Sequence, residues 1–304
     1  MSTPPTSSDA APRWVGGYHL LHRLGTGGSG TVWEAQNEGG QRVALKLLHP
    51  ALAETEQSRR RLQREARLVN QIRGGGVARV LDFEADDEAP FVVTELIEGP
   101  TLAQVVQEYP LSLDECHFLA EQLMDLLQRI HHCGIAHRDL KPSNIIIAPD
   151  GPVLIDFGIA QSHQDERLTQ TGKLTGTPGY VSPEILSSAD DGDFSRWQRG
   201  DWWAWSALLL SSLTGRPPFG SGNQQMVLQN VLRGQPDTAG LDPTLAAVFT
   251  GALSADPNTR LQPAELLRAL DRAVNYKGVP ETVAAISPPD LTLVQGTPIS
   301  TPQP

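Results

Sequence analysis

His137-Arg138-Asp139-Leu140-Lys141-Pro142-Ser143-Asn144 is followed, after a short apolar interval, by Asp156-Phe157-Gly158. The interval reads as a hairpin: Ile145-Ile-Ile, then the turn Asp150-Gly151, then Val153-Leu-Ile155. A buried hairpin with polar residues at both outer ends is a rigid mount for a site. Asp139, Asn144 and Asp156 offer oxygen ligands and a base, and Lys141 offers positive charge. That set suits magnesium-assisted phosphoryl transfer, in which positioning and charge neutralisation do most of the catalysis.

Working outward toward the N-terminus, Gly25-Thr-Gly27-Gly-Ser-Gly30-Thr-Val32 has the form G-x-G-x-x-G-x-V. Glycines there let backbone N–H groups approach phosphates that side chains would obstruct. A dinucleotide fingerprint needs a helix straight after the last glycine, but Val32-Trp-Glu-Ala continues as a strand. A Walker loop needs Gly-Lys-Ser/Thr, and Thr31 follows Gly30. Val43-Ala-Leu-Lys46 comes on the next strand. A lysine closing an apolar strand is costly to bury unless an anion meets it. Glu65 is the expected partner, since it lies three and four positions from Leu62, Leu68 and Val69 on the inward side of its helix.

Around these motifs the texture changes once. From Tyr18 to about Leu96 the chain reads mostly as strands. Thr31–Ala35 and Arg42–Leu48 flank the turn Asn37-Glu-Gly-Gly, and Val77–Phe83 and Phe91–Leu96 follow. One helix, from about Glu56 to Ile72, interrupts them. Beyond Glu98-Gly99 helices dominate, over Asp114–His132, Asp201–Leu213, Gln224–Leu232, Leu245–Leu253 and Pro263–Val274. The outline is α+β, with a small β-rich lobe over 18–97 and a larger α-helical lobe over 98–275. Residues 1–13 and 279–304, rich in Pro, Thr and Ser, read as disordered tails.

Of the 304 residues 39% are hydrophobic, and the formal net charge is −11. That balance argues against a nucleic-acid partner or adhesion to anionic lipid. The two cysteines, Cys116 and Cys133, fall in one helix. At ~1.5 Å per residue they would stand roughly 25 Å apart, beyond disulfide reach. There is no membrane span and no signal peptide, so a cytoplasmic location is expected.

From about Tyr18 to Val274 the sequence resembles the eukaryotic-like Ser/Thr protein kinases of bacteria. Later landmarks agree. Gly176-Thr177-Pro-Gly-Tyr-Val-Ser182-Pro183-Glu184 resembles the end of an activation segment. Asp201 resembles the residue that opens the central helix of the large lobe, and Arg260 stands where the family pairs an arginine with Glu184. Lys141, two after Asp139, is the Ser/Thr form of the motif. The resemblance implies ATP and Mg2+ as cofactors. It implies that Gly25, Gly27 and Gly30 cover the ATP phosphates, and that Lys46, braced by Glu65, holds the α- and β-phosphates. Val32 and Ala44 would sandwich the adenine, with the backbone of Glu95 and Ile97 at its edge. Asp139 would take the proton of the substrate hydroxyl, Lys141 steady the γ-phosphate, and Asn144 and Asp156 bind magnesium. Thr94, small and just before the hinge, would leave a pocket open behind the adenine.

The resemblance also implies protein substrates and allows a homodimer that autophosphorylates in trans. Arg138 beside the base is expected to lack a partner until an anion reaches it. Thr169 and Thr171, ahead of Thr175, are the expected phosphate acceptors, with Thr177 near the substrate. A nucleotide-binding pseudokinase scaffold is the alternative, but it would have lost Lys46, Asp139 or Asp156. A small-molecule kinase would lack the stretch from Gly176 to Glu184. Departures from the pattern are Ser206 for a glycine, the turn Arg73-Gly74-Gly75-Gly76, an acidic insertion with Asp190, Asp191 and Asp193, and a basic run on the Glu65 helix.

Overall fold

The computed structural model describes residues 14–85, 89–157, 177–187 and 193–276. Its first part is a six-stranded antiparallel sheet of β1 (Trp14–Val15), β2 (Tyr18–Gly27), β3 (Gly30–Gln36), β4 (Arg42–Leu48), β5 (Val80–Glu84) and β6 (Phe91–Glu95). The spatial order is β1-β2-β3-β4-β6-β5. The alternation of strand side chains divides β4 cleanly. Val43 and Leu45 are buried with Leu20, Ala35, Phe91 and Val93 in a small core, while Ala44 and Lys46 face the other way, onto a cleft. The β3–β4 turn is closed by Asn37, whose Oδ1 accepts from the Gln41 amide at 2.9 Å, as a side-chain-capped turn should be.

Helix α1 (Glu56–Val69) packs beside this sheet. Thr55 caps it by accepting from the Ser58 amide, and Leu62, Ala66 and Val69 form its buried stripe. The helix stops short of the expected Ile72. Its C-terminus is tied down by Asn70, which donates to the Val80 carbonyl and accepts from the Val80 amide.

The second part begins with α2 (Leu102–Glu108) and α3 (Leu113–His132). Both open with reciprocal capping boxes, Thr101 with Gln104 and Ser112 with Glu115. The expected hairpin forms as β7 (Ile145–Ala148) and β8 (Gly151–Leu154). Then come α4 (Pro183–Ser187), α5 (Phe194–Thr214), α6 (Gln224–Arg233), α7 (Pro243–Ala252) and α8 (Pro263–Tyr276). The main core forms where Leu119, Leu123, Leu126 and Ile130 of α3 meet Trp203, Ala207 and Leu208 of α5. Each buried leucine or isoleucine there is worth about 1.5–3 kcal/mol of burial. Both cysteines are free thiols, Cys116 buried and Cys133 half-buried. No described helix is long and apolar enough to cross a membrane.

The central helix corrects one expectation. It starts at Phe194, capped by Asp193, so Asp201 lies inside α5 rather than at its start. Asp193 belongs to the acidic insertion, and its carboxylate accepting from the Ser195 amide is what begins the helix early.

Candidate active site

One cleft of about 620 Å³ lies between the sheet and the helices. Gly25, Gly27, Gly30, Val32, Ala44, Lys46, Glu95, Ile97, Asp139, Lys141, Asn144 and Asp156 all line it. The antiparallel register places Val32 opposite Lys46 and Ala44 opposite Thr94. Lys46 therefore emerges one alternation deeper than Ala44. The amide of Glu95 is taken by the Arg79 carbonyl at 3.0 Å, so an edge contact from Glu95 must come from its own carbonyl.

Asp139 is held on one oxygen. Lys141 Nζ lies 2.7 Å and Asn144 Nδ2 3.0 Å from its Oδ2. Asn144 Nδ2 also donates to the Asp139 carbonyl at 2.8 Å, which turns its own Oδ1 away from that bond. The 3-10 turn Pro142–Asn144 and the β7–β8 hairpin fix these side chains.

Beneath them, Asp201 of α5 accepts the backbone amides of His137 at 2.7 Å and Arg138 at 2.8 Å, and also pairs with His131 at 2.8 Å. Those bonds hold Arg138 at φ +66°, a left-handed conformation a non-glycine residue adopts only when its surroundings over-determine it. His137 is fully buried beside Phe157, their ring centroids 4.9 Å apart. Burial pushes its imidazole down from the ordinary histidine value despite the nearby Asp201 and Asp139 charges, so the ring is neutral near pH 7.

Two expectations about charge pairing are corrected. Lys46 is paired not with Glu65 but with Asp156, at 3.1 Å. Glu65 Oε1 instead takes Arg61 at 3.2 Å and Arg138 at 2.9 Å. Arg138 is accordingly not the unpartnered cation its sequence position suggested. Its guanidinium also lies over the ring of Trp197, 5.2 Å from the centroid. The physical reason is proximity: α1 is turned so that Glu65 meets the loop bearing Arg138, and Lys46 neutralises the carboxylate left beside it.

Thr177 is exposed at the start of the short turn Pro178–Tyr180. Thr169, Thr171, Thr175 and Gly158 lie outside the described residues. Glu184 meets Arg260 through two bonds of 2.8 and 2.9 Å, as the resemblance implied. Ser206 satisfies its hydroxyl on the Trp202 carbonyl one turn back, so it fits the helix where the family pattern has glycine.

Sequence reasoning missed Thr101, Gln104 and Ile146, which also line the cleft, and the grip of Trp197 on Arg138. A capping-box pattern, Thr101-x-x-Gln104, marked the first two. Nothing local marked Trp197, because its partner is far away in the chain.

The donor set fits a nucleotide triphosphate with a divalent ion. No side chain stands within 4 Å of the points where Cβ atoms would project from Gly25 and Gly27, which leaves an open backbone cradle. Among the described residues no cluster of three or more His, Cys, Asp or Glu could hold a metal alone. An ion here would need Asn144 and Asp156 together with phosphate oxygens, the usual habit of magnesium.

A two-lobed fold carrying a glycine loop, a strand lysine and this polar hairpin defines a protein kinase domain. Residues 18–270 match the protein kinase domain family, and the chain belongs to it. Members use ATP with a divalent metal ion. Its curated relatives include bacterial Ser/Thr kinases. The chain is 36% identical over 256 residues to serine/threonine-protein kinase AfsK of Streptomyces coelicolor, across 84% of this chain and 32% of that protein. It is 34% identical over 260 residues to the probable serine/threonine-protein kinase PkwA of Thermomonospora curvata, across 85% and 34%. With serine/threonine-protein kinase PknE of Mycobacterium bovis it shares 34% over 253 residues, across 81% and 44%. The chain thus spans about a third of the length of AfsK and PkwA. Among solved structures, the kinase domain of M. tuberculosis PknI superposes with a TM-score of 0.65 at 24% identity, over 88% of this chain and 99% of that one.

Proposed function

We propose that this chain transfers the γ-phosphoryl group of Mg2+-bound ATP to Ser and Thr hydroxyls of proteins, its own threonines included. The observation that carries this reading is the convergence of Lys46, Asp139, Lys141, Asn144 and Asp156 with the glycine loop on one cleft. Asp139 is oriented through Oδ2 by Lys141 and Asn144, which leaves Oδ1 to accept the proton of the attacking hydroxyl. Lys141, bonded to Oδ2, offers positive charge to the transferred group. Asn144 and Asp156 would hold the metal ion, which neutralises phosphate charge when bound. Lys46 would exchange Asp156 for the α- and β-phosphates and for Glu65. Val32 and Ala44 close on the adenine, with the Glu95 carbonyl and the Ile97 backbone at its edge. A phosphate on Thr169 or Thr171 would compete with Glu65 for Arg138, because it offers more charge and three acceptor oxygens. Two copies meeting in the cytoplasm, where ATP is available, could deliver that phosphate in trans.

Incubation with Mg2+ and ATP followed by phosphosite mapping by mass spectrometry tests this. Phosphate on Thr169 and Thr171 is expected, and none in a chain lacking the Asp139 carboxylate. Nucleotide binding with no incorporation, on itself or on a generic protein substrate, would favour the scaffold reading instead.

A further inference from the structure

Trp197 and Asp201 are four residues apart on α5, so they lie on one face of that helix. Both grip the same dipeptide. Asp201 takes the main-chain amides of His137 and Arg138, and Trp197 takes the Arg138 guanidinium on its ring face at 5.2 Å. The backbone and the head of Arg138 are thereby fixed by one rigid element, and Glu65 is bound to that head at 2.9 Å. Arg61, the other partner of Glu65, sits four residues before it on α1. It turns with the helix and cannot hold Glu65 against any rotation. Among the described residues, Arg138 is the partner that ties Glu65 to the large lobe.

We infer that Trp197 is a positioning residue for the phosphoryl-transfer site. By holding Arg138 on Glu65, it keeps Glu65 from Lys46 and so leaves Lys46 bound to Asp156. This inference rests on reading Lys46 and Asp156 as the groups that meet the phosphates and the metal ion. The two side chains are only 16% and 30% exposed, so their mutual pair competes directly with both ligands. Once Arg138 loses its indole face, Glu65 is held less tightly. Lys46 gains an alternative carboxylate, and Asp156 is released.

The contact is a partly desolvated cation–π interaction, since the Arg138 side chain is 15% exposed. Such contacts are strong enough to shift a binding equilibrium by about threefold to tenfold. Trp197→Leu keeps apolar bulk but removes the ring face, whereas Trp197→Phe keeps a ring face. Calorimetric titration of the dephosphorylated chain with a non-hydrolysable Mg2+–ATP analogue should show tighter binding by Trp197→Leu, by about that factor. Trp197→Phe should stay near the wild-type value. Adenosine, which has no phosphate to meet Lys46 or Asp156, should bind all three proteins equally. Unchanged affinity for the Mg2+–nucleotide in Trp197→Leu overturns the inference. So does an equal change for adenosine and nucleotide, which is what a merely structural tryptophan would give. A wild-type chain that binds adenosine but gains nothing from Mg2+ and phosphates overturns the reading of Lys46 and Asp156 itself.

Discussion

Asp139 is positioned by bonds to a single oxygen, and that asymmetry shows which substitution is informative. Asp139→Asn keeps the shape and removes the proposed proton acceptor, while the glycine loop and Lys46 are untouched. Turnover should fall by roughly 10²-fold or more with ATP affinity nearly unchanged, as read from steady-state kinetics beside equilibrium binding. Thr94 lines the cleft together with the apolar Val69, Ala78, Val92 and Phe157. Thr94→Met fills that space, so inhibitors that send an aromatic ring behind the adenine should weaken about tenfold or more while ATP binds as before. Equal inhibitor affinity for both forms would remove Thr94 from that wall. That these residues meet in one cleft was readable because their motifs follow one another in a fixed order along the chain. Pairings were less readable. Lys46, Glu65, Arg138 and Asp156 all announce charge, but which carboxylate meets which cation depends on how α1 is turned. No local pattern encodes that rotation.

At the scale of elements, the β3–β4 pair depends on Gly30, at φ +152°. A Cβ there would stand 1.9 Å from the Leu47 carbonyl oxygen. Gly30→Ala must either break the pairing of Gly30 with Leu48 or push the glycine loop out of place. Strain of this kind costs on the order of 1–3 kcal/mol. The variant should melt several degrees lower, and it should lose affinity for ATP more than for adenosine; a melting curve and two titrations check both. Hairpins and long helices were legible from alternation, turn residues and helical spacing. The boundaries of α1 and α5 were not. Asn70 ends the first by bonding sideways to β5, and Asp193 begins the second inside a stretch that reads as loop. Helix α2 is only two turns long, too short for its spacing to stand out from the strand and loop around it.

Across the whole molecule, Glu184 and Arg260 join segments 76 residues apart. Their side chains are 13% and 8% exposed. Burial alone would raise the Glu184 carboxyl, but the Arg260 hydrogen bonds and charge outweigh it and hold the pKa below the ordinary value. The stability this pair contributes is therefore complete above the ordinary glutamate range. It fades as pH falls through the lower folded value. Arg260→Ala strands a buried carboxylate and should destabilise the fold by about 3–5 kcal/mol at neutral pH. The gap between variant and wild type in thermal unfolding should narrow in acid. A gap that stays constant down to the acid limit would show that charge is not what the pair provides.

Besides the segment that follows β6, the shared apolar core and the pairs Lys46–Asp156 and Glu65–Arg138, the two parts of the fold are joined by backbone hydrogen bonds. Ala78 donates to the Leu154 carbonyl and Leu154 to the Gly76 carbonyl, so Val77 lies beside β8 as a one-residue bridge. Arg129 of α3 adds bonds to the carbonyls of Arg73 and Gly75. Main-chain bonds survive an exchange of side-chain partners, so this seam and the segment after β6 stay in place if Lys46 and Glu65 exchange theirs. Motion between the two parts should then run mainly along the gape of the cleft. A pair of spectroscopic labels across the cleft mouth should therefore report a single distance coordinate, while labels astride the Gly76–Leu154 seam should stay silent.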